Sequence, residues 1–261
     1  MLVDTHAHLD DEAFAADRDD VLRRARAAGV ARVLAVGTTA ATSLRCAGLA
    51  ERFPGVYAAV GIQPNYVHEA LPGDWEAVVA LLDRPRVAAL GETGLDRYWH
   101  DAPWETQQDY FDRHLRLAQQ RDVPLVIHMR DCGPEIAEML REARRRGPLR
   151  GVMHSFTGDE PLMRECVELG LHISFAGMVT YKKSTALRAC AALAPADRLL
   201  VETDSPYLSP EPVRGQRPNE PANVRFVAAC LAEARGVPLA VLAQQTSANA
   251  ANLFRLPPGE A

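Results

Sequence analysis

Two histidines separated by one residue, His6 and His8, end an apolar run near the beginning of the sequence. If this run is a β-strand, side chains at positions i and i+2 point to the same face. Both imidazoles can then reach one metal ion, while Ala7 points away. By itself the pair is weak evidence, because two histidines at this spacing are more often accidental or exposed. The hypothesis of a metal site therefore depends on what ends the other apolar runs.

Histidines and carboxylates also end four other apolar runs. Glu92 follows a run that starts at Val87, and Asp204 follows one that starts at Leu199. A buried carboxylate is costly unless it is paired or bound to metal, which favours a functional role for Glu92. Structural roles stay open, since Asp204 can cap a turn and histidines after buried runs can be hydrogen-bonded core residues. The predicted metal ligands are His6, His8, Glu92, His128, His154 and Asp204.

The donor types in this set indicate which metals it could bind. Imidazoles together with carboxylates suit zinc, manganese, nickel or cobalt better than calcium or magnesium, although magnesium stays possible. Six ligands exceed the three protein ligands of a catalytic site with one zinc ion. The sequence therefore predicts two divalent metal ions.

The expected site places one ion on the two histidines of the first strand and the other on His128 and His154, with Glu92 bridging. Asp204 would bind the first ion and face its water. Because divalent ions lower the pKa of bound water toward about 7, Asp204 is predicted to accept the water's proton. As general base it later passes a proton to the leaving group. Asp204 and Glu92 are thus the predicted catalytic residues.

Along the sequence, short apolar runs alternate regularly with longer amphipathic stretches. These are the elements that must position the predicted ligands. This alternation is typical of βαβ units and a parallel sheet. Eight repeats favour a closed barrel over an open doubly wound sheet. The sequence therefore predicts the α/β class and a (β/α)8 TIM-type barrel, with residues 1–261 in a single domain. Catalytic groups of such barrels lie at the C-terminal ends of the strands, where the predicted ligands fall.

The predicted boundaries follow the same alternation. Strands are predicted at residues 2–9, 30–37, 56–62, 87–91, 124–129, 151–156, 172–176 and 199–203. Helices are predicted at 17–28, at a stretch ending near 53, and at 77–82, 104–121, 136–146, 222–234 and 239–253. The proline-rich stretch 206–221 is predicted to be a long loop over the barrel mouth.

Composition narrows the class of protein further. The 261 residues carry a net charge of −5, which argues against a general nucleic-acid binder with a broad basic face. The five cysteines form no CxxC pair, which argues against a disulfide framework and a cysteine zinc cluster. No signal-peptide pattern and no apolar run of about 18 residues is found. A cytoplasmic monomer without a membrane partner is expected.

Six stretches of the sequence resemble the TatD family of metal-dependent deoxyribonucleases, in family order and over nearly the whole chain. The resemblance implies that the six strand-end residues are the metal ligands, in agreement with the strand-end reasoning. It also implies hydrolysis of phosphodiester bonds in DNA, as a 3′-to-5′ exonuclease on single strands. The stretches are DTHAHLD (4–10), GETGLD (91–96), PLVIH (124–128), HSFTG (154–158), ETDSPYL (202–208) and NEPANV (219–224).

Two loops depart from the family pattern. The family usually carries GIHPH after strand three, whereas this chain has Gln63 and Asn65 at the two histidine positions. These amides can hydrogen-bond a phosphate, but they cannot titrate. The Arg-Asn-Glu-Pro motif is interrupted by Pro218, and Arg217 either clamps a phosphate or is a surface residue of the loop.

The loop after strand four is aromatic in a chain with 6% aromatic residues. Trp99 could stack on nucleobases if it is exposed. The alternative is that Trp99 and Trp104 pack the loop onto the barrel. The predicted substrate-binding residues are Gln63, Asn65, Trp99 and Arg217, and structural or surface roles are predicted for His68, His100, His114 and His172.

Three functions stay open at this point. The leading hypothesis is a metal-dependent DNA phosphodiesterase with single-stranded DNA as substrate. The alternative enzyme is a small-molecule amide, ester or lactone hydrolase, because related barrels use similar ligands for that chemistry. The third is a non-catalytic metal-dependent scaffold, against which the complete ligand set argues.

Overall fold

Eight short strands form the centre of the structure, a computed structural model that describes residues 1–257. Each strand pairs in parallel with the next one in the sequence. Every residue of the first and third strands is buried, as is typical of strands covered on both faces. The strands are β1 (Leu2–Ala7), β2 (Val30–Val36), β3 (Val56–Val60), β4 (Val87–Asp96), β5 (Leu125–Arg130), β6 (Gly151–Met153), β7 (Leu171–Phe175) and β8 (Leu199–Val201).

Helices connect successive strands and cover the outside of the barrel. The longest buries Phe111, Leu115 and Ala118 on one face, which is the spacing of an amphipathic helix. Short 3-10 helices at Pro64–Glu69 and Gly177–Thr180 follow β3 and β7. The α-helices are α1 (Arg18–Ala27), α2 (Ala40–Arg52), α3 (Asp74–Leu81), α4 (Trp104–Arg121), α5 (Gly133–Arg146), α6 (Glu160–Glu168), α7 (Thr185–Leu193), α8 (Val224–Arg235) and α9 (Leu239–Leu253).

Alternate residues of the strands pack together in the barrel interior. Val126, Val152 and Leu200 belong to one buried cluster, which also takes in Leu253 and Phe254 at the end of α9. Residues two positions further along a strand point to the same side. The interior rows of β5, β6 and β8 therefore lead to polar residues at the C-terminal ends of the strands, which form the mouth of the barrel.

The seam between β1 and β8 closes the barrel. The backbone N–H of Asp204 donates to the carbonyl of His6 at 2.9 Å. The buried Asp4 carboxylate accepts hydrogen bonds from the backbone N–H of Thr203 at 2.9 Å and from its hydroxyl at 2.6 Å. The first strand and the residues that directly follow β8 are thus joined by both backbone and side-chain contacts.

The predicted (β/α)8 barrel is confirmed, but several boundaries differ. β4 continues to Asp96 instead of ending at Gly91, and it pairs with β5 as far as that residue. Gly94 permits this, because a Cβ there would lie 2.0 Å from the carbonyl oxygen of His128. β6 and β8 end earlier than predicted, and α6 and α7 were not predicted because both are short, with few large apolar residues. Residues 258–261 of the predicted domain lie outside the described residues.

Two loops pack against each other at the mouth. Residues 206–220 contain no helix or strand, as predicted. A Cβ on Gly177 would lie 1.8 Å from the carbonyl oxygen of Leu208, so only glycine fits between the loops. The Thr180 hydroxyl also accepts a hydrogen bond from the backbone N–H of Glu211 at 2.8 Å. The loops after β7 and β8 therefore form one continuous rim.

Within residues 1–257, no single helix combines the length and apolar composition of a membrane span. Pro221–Arg235 and Leu239–Leu253 reach that length and composition only as a pair, bent by 112°.

Candidate metal centre

The predicted ligand residues converge at the mouth of the barrel in two groups that share Glu92. Ligand atoms of His6, His8 and Glu92 lie within 4.8 Å of one another, and so do those of Glu92, His128 and His154. Groups of this kind could hold metal ions. We call them the first cluster (His6, His8, Asp204 and Glu92 Oε2) and the second cluster (His128, His154 and Glu92 Oε1).

In the first cluster, two ring nitrogens and two carboxylate oxygens face one another. His6 Nε2 lies 3.3 Å from Glu92 Oε2 and 3.7 Å from Asp204 Oδ1. His8 Nε2 lies 3.3 Å from His6 Nε2 and 3.4 Å from Asp204 Oδ1. The side chains of His8 and Asp204 are 13% and 14% exposed, whereas His6 is fully buried. Solvent therefore reaches this cluster past His8 and Asp204.

The second cluster is built around the other oxygen of Glu92. Glu92 Oε1 lies 2.9 Å from His128 Nδ1 and 3.1 Å from His154 Nε2. The two ring nitrogens are 3.4 Å apart. One carboxylate oxygen thus faces each cluster, which is the arrangement expected of a residue that bridges two ions.

Asp204 faces the histidines and does not cap the turn that follows it. Its φ is 54°, in the left-handed region, where Asp is found more often than most residues. The turn is closed by backbone atoms, as the N–H of Tyr207 donates to the Asp204 carbonyl at 2.9 Å. The carboxylate is therefore free to serve the first cluster.

The histidines fit a metal site because, in three of them, the ring nitrogen that faces away from the cluster already contacts an oxygen atom of the protein. His8 Nδ1 donates to the carbonyl of Val36 at 3.0 Å. His128 Nε2 lies 2.8 Å from Asp96 Oδ2, and His154 Nδ1 lies 3.3 Å from Glu202 Oε1. Such contacts orient the ring and leave the lone pair of the other nitrogen facing the ion. The donor set therefore fits divalent ions of the zinc or manganese type.

Without metal, the pKa of each of these residues depends strongly on the charges of its neighbours in the clusters. Burial would lower the pKa of His8, but Asp204 and Glu92 outweigh it and raise that pKa to about 9. Burial would raise the pKa of Glu92, but His154, His128 and His6 outweigh it and hold that pKa well below its usual value. Metal binding must therefore displace protons from imidazoles that Glu92 and Asp204 would otherwise keep charged.

Two carboxylates at the site, Asp96 and Glu202, were not among the predicted residues. Asp96 ends β4, and Glu202 is fully buried at the end of β8, where its Oε1 also accepts from the backbone N–H of Ser155 at 2.6 Å. Glu202 could have been found from its spacing, since it lies two residues before Asp204 and shares its face. Asp96 lacked such a signal because the glycines of β4 conceal the strand.

Replacing Asp96 tests how strongly the second cluster depends on the orientation of His128. Asp96→Asn is expected to lower the affinity of one metal equivalent by about 10- to 100-fold, because a neutral amide holds the ring less firmly and makes it less basic. The other equivalent should be nearly unchanged. Metal titration by calorimetry measures both. Asp101→Asn, an exposed change in the loop after β4, is the control. Two unchanged affinities in Asp96→Asn would contradict the assignment.

The two amides after β3 are partly engaged within the protein. The Gln63 side chain is buried, and its Oε1 accepts from the backbone N–H of Asn65 at 2.9 Å. Asn65 Nδ2 donates to Asp96 Oδ2 at 3.2 Å, which directs this amide toward the second cluster. Gln63 Nε2 makes no hydrogen bond within residues 1–257 and stays available as a donor. Contact of either residue with a phosphate remains a prediction.

Trp99 and Arg217 are both accessible to a ligand. Trp99 is 50% exposed, whereas Trp104 is partly buried and lies beneath the Arg97 guanidinium, 3.9 Å from its ring centroid. The alternative in which aromatic rings pack the loop onto the barrel thus describes Trp104 and not Trp99. Arg217 is exposed and makes no hydrogen bond or ion pair within the described part of the chain.

The remaining histidines lie outside both clusters. His114 is buried between a backbone donor and a backbone acceptor, Ile62 at 3.2 Å and Tyr110 at 2.7 Å. Burial lowers its pKa to about 4, so it is a neutral structural residue. His172 is buried within β7, and His68 and His100 are exposed.

Comparison with known proteins agrees with this geometry. A model of the family described as TatD related DNase matches residues 3–255. The Escherichia coli K12 protein named uncharacterized metal-dependent hydrolase YcfH is 40% identical over 259 residues, covering 98% of this chain and 96% of that protein. The Salmonella typhimurium protein named 3′-5′ ssDNA/RNA exonuclease TatD is 34% identical over 259 residues, covering 98% and 99%.

A solved structure extends the similarity to three dimensions. The crystal structure of YjjV, a TatD homologue from Escherichia coli K12, matches with a TM-score of 0.92 at 32% identity and covers 98% of both chains. Family model, relatives and structure all span nearly the full length of the sequence. The chain therefore belongs to the TatD-related DNase family and is a metal-dependent hydrolase.

Proposed function

We propose that this hydrolase cleaves phosphodiester bonds of single-stranded DNA and removes nucleotides stepwise from the 3′ end. The observation that carries the proposal is the position of Glu92, with one carboxylate oxygen in each cluster. Two adjacent divalent ions suit phosphoryl transfer, because together they stabilise the attacking and leaving oxygens. The name of the Salmonella relative supports single strands and 3′-to-5′ polarity, and it extends the candidate substrates to RNA.

The distribution of positive charge around the mouth supports a polyanionic substrate. Lys182 and Lys183, the only lysines of the chain, lie in the loop after β7. Arg214 and Arg217 lie in the adjoining loop after β8, and the Arg214 guanidinium is 3.9 Å from the ring centroid of Tyr181. In a chain with a net charge of −5, this local basic rim attracts phosphates to the mouth. Arg217 is the proposed phosphate contact, and Trp99 a proposed stacking surface.

The proposed mechanism assigns separate tasks to the two carboxylates. Bound ions would supply Lewis acidity and a water of lowered pKa. Glu92 holds the two clusters together. Asp204, at the solvent-accessible side of the first cluster, accepts the proton of the attacking water at its carboxylate and donates it to the 3′ oxygen that leaves. The products are a nucleoside 5′-monophosphate and a strand shortened by one residue with a new 3′ hydroxyl.

The test is incubation of the metal-loaded protein with single-stranded DNA labelled at its 5′ end. A ladder of labelled products that shortens one nucleotide at a time is expected, and it should disappear with a chelator. Separate reactions with zinc, manganese, nickel, cobalt and magnesium identify the active metal. A 3′ end blocked with a phosphorothioate linkage should delay the ladder.

Other outcomes would overturn the proposal. Internal cleavage without a ladder contradicts the 3′-to-5′ polarity. Turnover of an ester, amide or lactone panel with no shortening of DNA or RNA would favour the small-molecule hydrolase. Complete inactivity of the loaded protein on every substrate would favour a binding role.

A further inference from the structure

Four aromatic side chains are exposed, and all four lie at the mouth of the barrel. Tyr66 is in the 3-10 helix after β3, Tyr98 and Trp99 follow β4, and Tyr207 is in the loop after β8. Every other Phe, Tyr and Trp ring in residues 1–257 is buried or partly buried. Exposed apolar surface gathered in one place is typical of a binding site. The exposed fractions are 40% for Tyr66, 49% for Tyr98, 50% for Trp99 and 49% for Tyr207.

Tyr207 lies directly beside the first cluster. Its ring centroid is 5.8 Å from that of His8, at an interplanar angle of 63°. The backbone hydrogen bond from Tyr207 to Asp204 ties its position to a predicted ligand. The phenol donates only one long hydrogen bond, 3.4 Å, to Asp11 Oδ2. The ring is thus well placed, yet half of the residue is open to solvent.

Tyr66 lies at the same end of the barrel as Tyr207, in the 3-10 helix Pro64–Glu69 that follows β3. Burial, with Asp11 and Tyr66 adding to it, raises the pKa of Tyr207 to about 12. Burial, with Glu69 and Glu92 adding to it, raises the pKa of Tyr66. Both phenols are therefore neutral at physiological pH. The Tyr66 hydroxyl makes no hydrogen bond within the residues that the structure describes, and 40% of the residue is exposed.

We propose that Tyr66 and Tyr207 bind the base of the 3′-terminal nucleotide by stacking, which positions the terminal phosphodiester at the first cluster. This inference rests on the proposed function and names how the site recognises the strand end. Stacking on aromatic rings tolerates any base, because every base has a π-face. A base must leave its neighbours in a duplex to reach the rings, so this contact also selects single strands.

The test compares two labelled strands that differ only at the 3′-terminal residue, which either carries its base or is abasic. For the unmodified protein, kcat/KM for release of the 3′-terminal residue is expected to be about ten-fold higher when that residue carries its base than when it is abasic. Tyr207→Ala should lose about ten-fold on the normal strand and almost nothing on the abasic strand. Tyr66→Ala should show the same pattern. Equal rates for both strands with the unmodified protein would overturn the proposal.

The conservative variant Tyr207→Phe separates stacking from the hydrogen bond to Asp11. It keeps the ring, so it should retain the discrimination between normal and abasic ends. A loss of activity that is equal on both strands in Tyr207→Ala, or a loss of discrimination in Tyr207→Phe, would assign Tyr207 a role other than stacking.

Equilibrium binding distinguishes failure of this proposal from failure of the proposed function. Asp204→Asn, in which turnover should be blocked, is titrated with the two strands and followed by fluorescence anisotropy. It should bind the normal strand about ten-fold more tightly than the abasic strand, and adding Tyr207→Ala should remove the difference. Equal binding overturns the stacking contact even if both strands are cleaved. Binding by Asp204→Asn that depends on the base, together with no cleavage of either strand by the unmodified protein, supports the contact and overturns the exonuclease.

Discussion

Asp204→Asn is expected to lower kcat on single-stranded DNA by about 10² to 10⁴-fold at saturating metal. The amide keeps the shape of the side chain but cannot accept the proton of the attacking water. In the unmodified protein, Asp204 Oδ1 lies 3.7 Å from His6 Nε2 and 3.4 Å from His8 Nε2. The amide oxygen of Asn can take this position, so the first cluster should retain part of its metal affinity. The effect should therefore fall on kcat more than on metal content.

To test this prediction, the turnover and the metal content of Asp204→Asn are measured on the same sample. Glu211→Gln, which removes a carboxylate from the loop after β8 without touching either cluster, should stay within a few-fold of the unmodified protein. Near-normal turnover of Asp204→Asn with both ions bound would show that another group accepts the proton.

Glu92→Gln is expected to have the broadest effect of any single substitution, because both clusters lose the same carboxylate. The bound ions should fall from two per chain to at most one. Activity should fall by at least about 10³-fold, since paired ions supply several kcal/mol of transition-state stabilisation. In the metal-free protein the variant should also be less stable, because two buried histidines and the partly buried His128 lose the anion that lies 2.9–3.3 Å from them.

Two measurements check Glu92→Gln. Elemental analysis after dialysis gives the number of ions per chain, and thermal unfolding with a chelator gives the stability of the metal-free protein. Glu105→Gln, an exposed change in the first turn of α4, serves as the control for loss of a negative charge. Retention of two ions by Glu92→Gln would contradict the bridging role.

The sequence was most informative where an apolar strand stops abruptly at a polar residue. His128 and His154 follow buried runs directly, so their strands and their positions at the mouth could both be predicted. Asp96 could not be predicted in this way, because β4 continues through Gly91 and Gly94. Glycines interrupt an apolar pattern, although here they allow the strand to lie against β5.

Side-chain direction in loops could not be predicted from residue type. Gln63 and Asn65 are polar loop residues, and their contact with a phosphate stays a prediction. The structure shows both amides in hydrogen bonds within the protein, to a backbone N–H and to Asp96. Trp99 and Trp104 likewise share a residue type and lie near each other in the sequence, yet only Trp104 lies beneath the guanidinium of Arg97. Such choices depend on neighbours that are distant in the sequence.

Because β1 and β8 are the first and last strands, the seam between them leads us to expect that the two clusters form at different stages of synthesis. The second cluster draws on β4, β5 and β6, which emerge one after another and can pair on a nascent chain. The first cluster needs His6 and Asp204, which meet only when the last strand docks against the first. This contact closes nearly the whole length of the chain into one loop, which costs conformational entropy. A metal ion that also contacts Asp204 would bind the closed form more tightly and favour it by mass action, so the ion would stabilise the finished barrel.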